Sequence, residues 1–134
     1  MKALIVEDEQ VAQNLLSHLL RPYGECDLAE DGEKGLELFL KAFESDHPYD
    51  VIFLDIMMPR LDGQTMLSRI RDFEQSNDVR PRTGVKVIMT TALGDPENVL
   101  TSHVEGCAAY LTKPLDNTAL HKIMAELGFA REVR

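Results

Sequence analysis

Residues 51–63 read VIFLDIMMPRLDG, and this stretch begins with an apolar run that ends in a carboxylate. Four apolar residues, Val51 to Leu54, lead directly into Asp55, and a proline and a glycine mark the turn that follows. A continuous apolar run of this length is typical of a strand in a parallel sheet covered on both faces. An ionised carboxylate at the edge of a core is costly unless something pairs with it. Asp55 is therefore either a capping residue or a group placed to meet a cation or a phosphate.

Short apolar runs alternate with helical-period segments along the whole chain. Strands are predicted at residues 3–6, 25–29, 51–54, 85–89 and 108–111, of which 25–29 is polar enough for an edge strand. Apolar stripes predict helices over residues 11–20, 36–43, 66–73, 99–104 and 120–127. Asp95 would cap the fourth helix with Pro96 at its first position, and Gly128 would end the fifth in a left-handed conformation. This alternation predicts an open parallel α/β sheet.

Length and charge narrow the class of protein. The chain has 134 residues, 44% of them hydrophobic, which predicts one soluble domain over residues 1–134. The net charge of -9 argues against binding nucleic acid through a basic surface. No apolar run approaches the roughly 18 residues that a membrane span needs, and MKALIVEDEQ is not a signal peptide. Cys26 and Cys107 lack metal-ligand spacing and are not expected to pair, so a cytoplasmic protein is predicted.

Charged and hydroxyl side chains follow four of the predicted strands. Glu7 and Asp8 follow the first strand, Asp55 the third, Thr91 the fourth and Lys113 the fifth. The carboxyl ends of parallel strands share one edge of the sheet, where open α/β sheets bind their ligands. Carboxylates gathered there repel one another, and a divalent cation relieves that repulsion. An all-oxygen ligand set with few carboxylates predicts a Mg²⁺ site.

With these residues in place, the chain resembles the response-regulator receiver domains of two-component signalling. The matching pieces are LIVEDE, LDIMMPRLDG, MTTAL and AAYLTKPL, which occur in the family's order. The resemblance spans residues 1–127 and implies a flavodoxin-like (βα)5 fold, a three-layer sandwich whose parallel sheet has the order 2-1-3-4-5.

The resemblance also implies a role for each site residue. Asp55 would accept the phosphoryl group, while Glu7, Asp8 and the backbone carbonyl of Met57 would hold Mg²⁺ with it. The longer Glu7 side chain could instead reach the ion through water. Lys113 would contact the phosphoryl oxygens.

Two further residues resemble the family's conformational switch. Thr91 would be drawn to the phosphoryl group and Tyr110 would turn inward in response, although Thr90 is the alternative threonine and Tyr110 could simply pack in the core. The Lys113–Pro114 peptide bond would be cis.

The implied function is a signalling phosphoacceptor rather than an enzyme. A sensor histidine kinase or a histidine phosphotransfer protein would supply the phosphoryl group from a phosphohistidine. The phosphorylated chain, a monomer or a weak phosphorylation-dependent dimer, would bind a downstream protein through its fourth and fifth β/α elements, with no direct contact to nucleic acid or membrane. GFAREVR after Leu127 is too short for an effector domain, which favours a stand-alone receiver. A relay intermediate, or a receiver excised from a hybrid kinase, is the alternative.

Two rival functions fit the residues less well. Phosphatases that use a strand-end aspartate place a second aspartate two residues later, where this chain has Met57. A degenerate receiver that only binds partners would lack the acceptor or the lysine, and this chain has both Asp55 and Lys113.

Overall fold

A computed structural model describes residues 1–58, 61–80, 83–92 and 106–131 of the chain. The described strands are β1 (Lys2–Val6), β2 (Glu25–Ala29), β3 (Val51–Asp55), β4 (Lys86–Thr91) and β5 (Ala109–Thr112). They form one parallel sheet in the order β2-β1-β3-β4-β5. Each predicted strand overlaps one of these, and β2 has the predicted bounds.

Four α-helices lie in the described part of the chain. They are α1 (Gln10–Leu20), α2 (Gly32–Glu44), α3 (Gly63–Ser76) and α4 (Asn117–Glu126), and a single 3₁₀ turn, Arg21–Tyr23, follows α1. Asp31, Asp62 and Asp116 cap α2, α3 and α4 by accepting a hydrogen bond from a backbone N–H of the first turn. Gly128 after α4 has φ +87°, the left-handed conformation predicted for it. The helix predicted over residues 99–104, with its cap at Asp95 and Pro96, lies outside the described residues.

The sheet lies between two helical layers because its inner strands are apolar on both faces. One core cluster joins Leu4 and Leu54 of the sheet to α2 and α3. The other joins Ile5 and Phe53 to α1 and α4. The flavodoxin-like three-layer fold with strand order 2-1-3-4-5 is therefore confirmed.

The turn after β3 is compact because α3 begins against the strand that it follows. Gly63, the first residue of α3, donates its N–H to the carbonyl of Ile56 at 3.0 Å. A Cβ on Gly63 would lie 2.3 Å from the carbonyl oxygen of Asp55, too close for any side chain. The absence of a side chain on Gly63 therefore lets the start of α3 pass close to the backbone of Asp55 and Ile56.

The opposite end of the sheet is held by a partly buried ion pair on α3. Glu74 accepts a hydrogen bond from Arg71 Nη1 at 2.6 Å and another from the N–H of Val85 at 2.8 Å. Arg71 Nη2 donates to the carbonyls of Val85 and Gly106, each at 2.7 Å. The pair therefore ties α3 to the residue before β4 and to the segment that leads into β5.

Strand β2 forms one edge of the sheet and carries acidic side chains. Glu25, Asp27 and Leu28 are exposed on it. The Asp27 carboxylate accepts a hydrogen bond of 2.6 Å from the hydroxyl of Tyr49, which is itself buried. The prediction that the polar segment 25–29 forms an edge strand is thus confirmed.

Two further sequence predictions concern the cysteines and membrane-spanning segments. Cys26 and Cys107 are free thiols, as predicted. None of the helices in the described ranges is long and apolar enough to cross a membrane.

Candidate functional site

The carboxyl ends of the strands bring four predicted site residues together. Glu7 directly follows β1 and Asp55 ends β3, and both are almost fully buried. Asp8 is exposed beside Glu7. Lys113 follows β5, and its ammonium group reaches back across the edge of the sheet. The peptide bond between Lys113 and Pro114 is cis, the form that the resemblance implies.

Lys113 contacts three carboxylates at this edge. Its Nζ atom lies 2.9 Å from Glu7 Oε1, 3.0 Å from Glu9 Oε1 and 3.2 Å from Asp55 Oδ2. The Glu7 and Asp55 side chains are 1% and 6% exposed, whereas the Glu9 side chain is 63% exposed. The lysine therefore shares its single positive charge among two buried carboxylates and one carboxylate that faces water.

Backbone contacts hold the Asp55 carboxylate in place. All five residues of β3 are buried, so the strand that carries Asp55 is packed on both faces. The N–H of Met57 donates to Asp55 Oδ1 at 3.1 Å, and the N–H of Ile56 donates to the carbonyl of Thr90 at 3.1 Å. These bonds leave Asp55 Oδ2 directed at Lys113.

Burial dominates the titration of both buried acids. It raises the pKa of Glu7 from 4.5 to about 7, because desolvation outweighs the stabilising contact with Lys113 and is reinforced by the charge of Asp55. Burial also raises the pKa of Asp55, against the opposing effect of Lys113. Although burial of the lysine favours its neutral form, hydrogen bonds to Glu7 and Glu9 and the nearby carboxylate charges hold its pKa above its ordinary value.

The donor set at this edge fits a divalent cation. Glu7, Asp8 and Asp55 each offer a carboxylate oxygen, and these oxygens lie within 4.8 Å of one another. Glu7 Oε2 is buried without a hydrogen-bond partner among the described residues, although a buried carboxylate oxygen normally has one. A hard cation with oxygen ligands would satisfy this atom and offset the surplus negative charge. Met57, whose carbonyl is the fourth predicted ligand, is exposed in the turn directly after β3 and Ile56.

The predicted switch residues lie on β4 and β5. Thr90 and Thr91 are both buried, and neither hydroxyl has a hydrogen-bond partner within the part of the chain that the structure describes. Thr90 pairs with Asp55 in the sheet, whereas Thr91 lies one position nearer the edge and accepts, through its carbonyl, a hydrogen bond of 2.6 Å from the N–H of Lys113. Tyr110 is half-buried and packs against the core cluster beneath α2 and α3.

One residue at the site was not predicted. Glu9 is the third acidic residue of the EDE stretch, and its contact with Lys113 places it beside the buried carboxylates. The only signal in the sequence was that its side chain follows directly after the acidic pair at the end of β1.

Comparison with known proteins identifies the family. A family model described as the response regulator receiver domain matches residues 3–125. The chain is 27% identical over 126 residues to chemotaxis protein CheY of Halobacterium salinarum, covering 94% of this chain and 95% of that protein. It is 33% identical over 126 residues to probable histidine kinase 2 of Oryza sativa, covering 87% of this chain but only 12% of the kinase.

Solved structures agree with this assignment. A receiver domain protein from Clostridium thermocellum superposes with a TM-score of 0.72 at 28% identity, covering 93% of this chain and 91% of that one. The receiver domain of the Saccharomyces cerevisiae response regulator Ssk1, crystallised with the histidine phosphotransfer protein Ypd1, gives a TM-score of 0.73 at 29% identity, covering 92% of this chain and 86% of that one. Fold, site and family model together show that the chain belongs to the response regulator receiver domain family of two-component and phosphorelay signalling.

Proposed function

We propose that the chain accepts a phosphoryl group on Asp55 from a phosphohistidine. The observation that carries this proposal is the pairing of a buried strand-end carboxylate with a lysine, Asp55 Oδ2 lying 3.2 Å from Lys113 Nζ. Such a pair supplies a nucleophile together with a cation that can offset the charge of an incoming phosphoryl group.

The transfer makes one bond and breaks one bond. An oxygen of the ionised Asp55 carboxylate bonds to phosphorus while the bond between phosphorus and the donor imidazole breaks, and the electron pair of the broken bond stays on the imidazole nitrogen. The N–H of Met57, which donates to Asp55 Oδ1, orients the carboxylate for this attack. Lys113 stabilises the negative charge that spreads over the phosphoryl oxygens.

Glu7, Asp8 and Asp55 would hold Mg²⁺ together with the backbone carbonyl of Met57. The orphaned Glu7 Oε2 and the closeness of the three carboxylates support this ligand set. A bound Mg²⁺ would supply positive charge that favours the ionised form of Asp55 and balances the phosphoryl oxygens.

Thr91 and Tyr110 would transmit the phosphorylated state to a downstream protein. The Thr91 hydroxyl is buried near the site without a partner in the described ranges, so a phosphoryl oxygen would offer it an acceptor. Tyr110 is half-buried and lies two residues before Thr112, the sheet partner of Thr91. A movement of Thr91 towards the phosphoryl group would therefore be felt next to the Tyr110 ring. Phosphorylation would thereby bias two arrangements of β4, β5 and the surface around them.

The donor would be a sensor histidine kinase or a histidine phosphotransfer protein. The yeast receiver that this chain resembles was crystallised with a histidine phosphotransfer protein. The match to 95% of the Halobacterium chemotaxis protein supports the first candidate, a stand-alone receiver. The match to 12% of a rice histidine kinase supports the second candidate, a receiver within a hybrid kinase or a phosphorelay intermediate.

Phosphorylation with a small phosphodonor and Mg²⁺ tests the proposal directly. Intact-mass spectrometry should show one phosphoryl adduct on the wild type and none on Asp55→Asn. Asp72→Asn, a control on the exposed surface of α3, should retain the adduct. An adduct on folded Asp55→Asn, or none on the wild type, would disprove the assignment.

A further inference from the structure

The ammonium group of Lys113 has no donor to spare. It carries three N–H donors, and three carboxylates lie within hydrogen-bond distance of its Nζ atom, those of Glu7, Glu9 and Asp55. A phosphoryl oxygen that binds Lys113 must therefore take the place of one of these three contacts.

The three contacts differ in how easily they are given up. Glu7 and Asp55 are buried, and a buried carboxylate that loses its cation is strongly destabilised. Asp55 is also the proposed nucleophile and stays beside Lys113 throughout the transfer. Glu9 has a side chain 63% exposed, so water replaces Lys113 at little cost when the contact breaks.

The Glu9 side chain contacts Lys113 although the position of Glu9 would suit it to capping α1. Glu9 is the N-cap residue of α1, yet its side chain makes no capping hydrogen bond, unlike Asp31, Asp62 and Asp116 at the other described helices. Its N–H donates to Glu7 Oε1 at 3.1 Å, which fixes its backbone beside the buried carboxylate. The Glu9 carboxylate extends to Lys113 instead of capping the helix.

We propose that Glu9 is a positioning residue that restrains Lys113 until a phosphoryl group displaces it. It occupies the donor that the phosphoryl oxygen requires, and so lowers both the affinity for a phosphoryl group and the rate of phosphorylation. This inference rests on the proposed phosphoacceptor function and adds to it a residue that sets how readily the acceptor is used.

Two substitutions of Glu9 separate the contact from its charge. Glu9→Gln removes the negative charge and weakens the contact with Lys113. Glu9→Asp keeps the charge and can cap α1, but its side chain is one methylene shorter and no longer reaches Lys113. Glu30→Gln is the matched control, because Glu30 is exposed just after β2 at the same edge of the sheet.

Beryllofluoride binding at saturating Mg²⁺, followed by fluorine NMR, measures the effect without turnover. Both Glu9 variants should bind beryllofluoride about two- to five-fold more tightly than the wild type, the range that one exposed ion pair allows. Their phosphorylation by a small phosphodonor should accelerate by a similar factor, and Glu30→Gln should match the wild type.

The possible outcomes are distinct. If Glu9→Asp behaves as the wild type while Glu9→Gln binds more tightly, only the charge matters and the positioning role is wrong. If both variants and Glu30→Gln equal the wild type, Glu9 does not restrain Lys113. If the wild type itself binds no beryllofluoride, the proposed phosphoacceptor function fails, and this inference fails with it.

Discussion

Glu7 is almost completely buried, and the lysine that pairs with it, Lys113, also pairs with Glu9 and Asp55. Its pKa of about 7 in the folded chain exceeds the ordinary value of 4.5, because desolvation outweighs the contact with Lys113. Between these two values the folded state binds more protons than the unfolded state. The free energy of unfolding therefore decreases as the pH rises from about 4.5 to about 7, and the full penalty is present above that range.

Urea unfolding in the presence of a chelator tests this dependence. We expect the wild type to lose stability as the pH rises across that interval, and Glu7→Gln to lose less of it because the amide carries no titrating proton. The raised pKa of Asp55 acts in the same direction and remains in both proteins. Parallel stability profiles for the two proteins would contradict the titration assigned to Glu7.

At this scale the sequence predicts which residues meet but not all of their contacts. Glu7, Asp8, Asp55 and Lys113 could be placed together because parallel strands deliver their carboxyl ends to one edge. The contact of Glu9 with Lys113 could not, since it depends on the direction that an exposed side chain takes after the strand has ended.

At the scale of elements, Arg71 and Glu74 join α3 to the start of β4. We expect Arg71→Leu to lower the free energy of unfolding by about 2–4 kcal/mol, because it leaves the buried Glu74 carboxylate with one fewer partner. The figure is set below that of a fully buried pair since the Arg71 side chain is 25% exposed. Chemical denaturation checks this value, with Arg69→Leu on the exposed face of the same helix as control.

The double variant Arg71→Leu/Glu74→Leu distinguishes an unpaired charge from lost packing. It should recover part of the stability, because the buried Glu74 carboxylate, which Arg71→Leu leaves without its cation, is then removed as well. A double variant less stable than Arg71→Leu would show that the four hydrogen bonds of the pair matter more than the charge.

Element positions were predictable where the core demands apolar side chains. The run at residues 51–54 fixes β3, and Leu16 and Leu20 place α1 against the sheet. The predicted strand 85–89 stops short of Thr91, because backbone pairing with β3 and β5 continues after the apolar residues end. The burial of Glu74 could not be predicted from the sequence either, since a charged residue within a helix normally occupies an exposed position.

For the whole molecule, the proposed Mg²⁺ site would couple folding to metal binding. A Mg²⁺ ion that binds only the folded chain should raise the free energy of unfolding by about 2.7 kcal/mol at a concentration 100 times its dissociation constant. Asp8→Asn should lose most of this gain because it removes one of the three clustered carboxylates. Thermal unfolding with and without MgCl₂ measures both effects, and a shift of equal size in wild type and Asp8→Asn would contradict the ligand assignment.

The acidic edge at β2 bears on how copies of the chain meet one another. An uncovered strand is a template for edge-to-edge aggregation, and charged side chains on it are a defence. If two copies added their β2 strands together, Glu25 and Asp27 of each would face like charges on the other, in a chain whose net charge is already -9. The acidic side chains of β2, the strand farthest from Lys113, therefore help to keep the chain from aggregating at neutral pH. Acidification or high salt would weaken this charge repulsion.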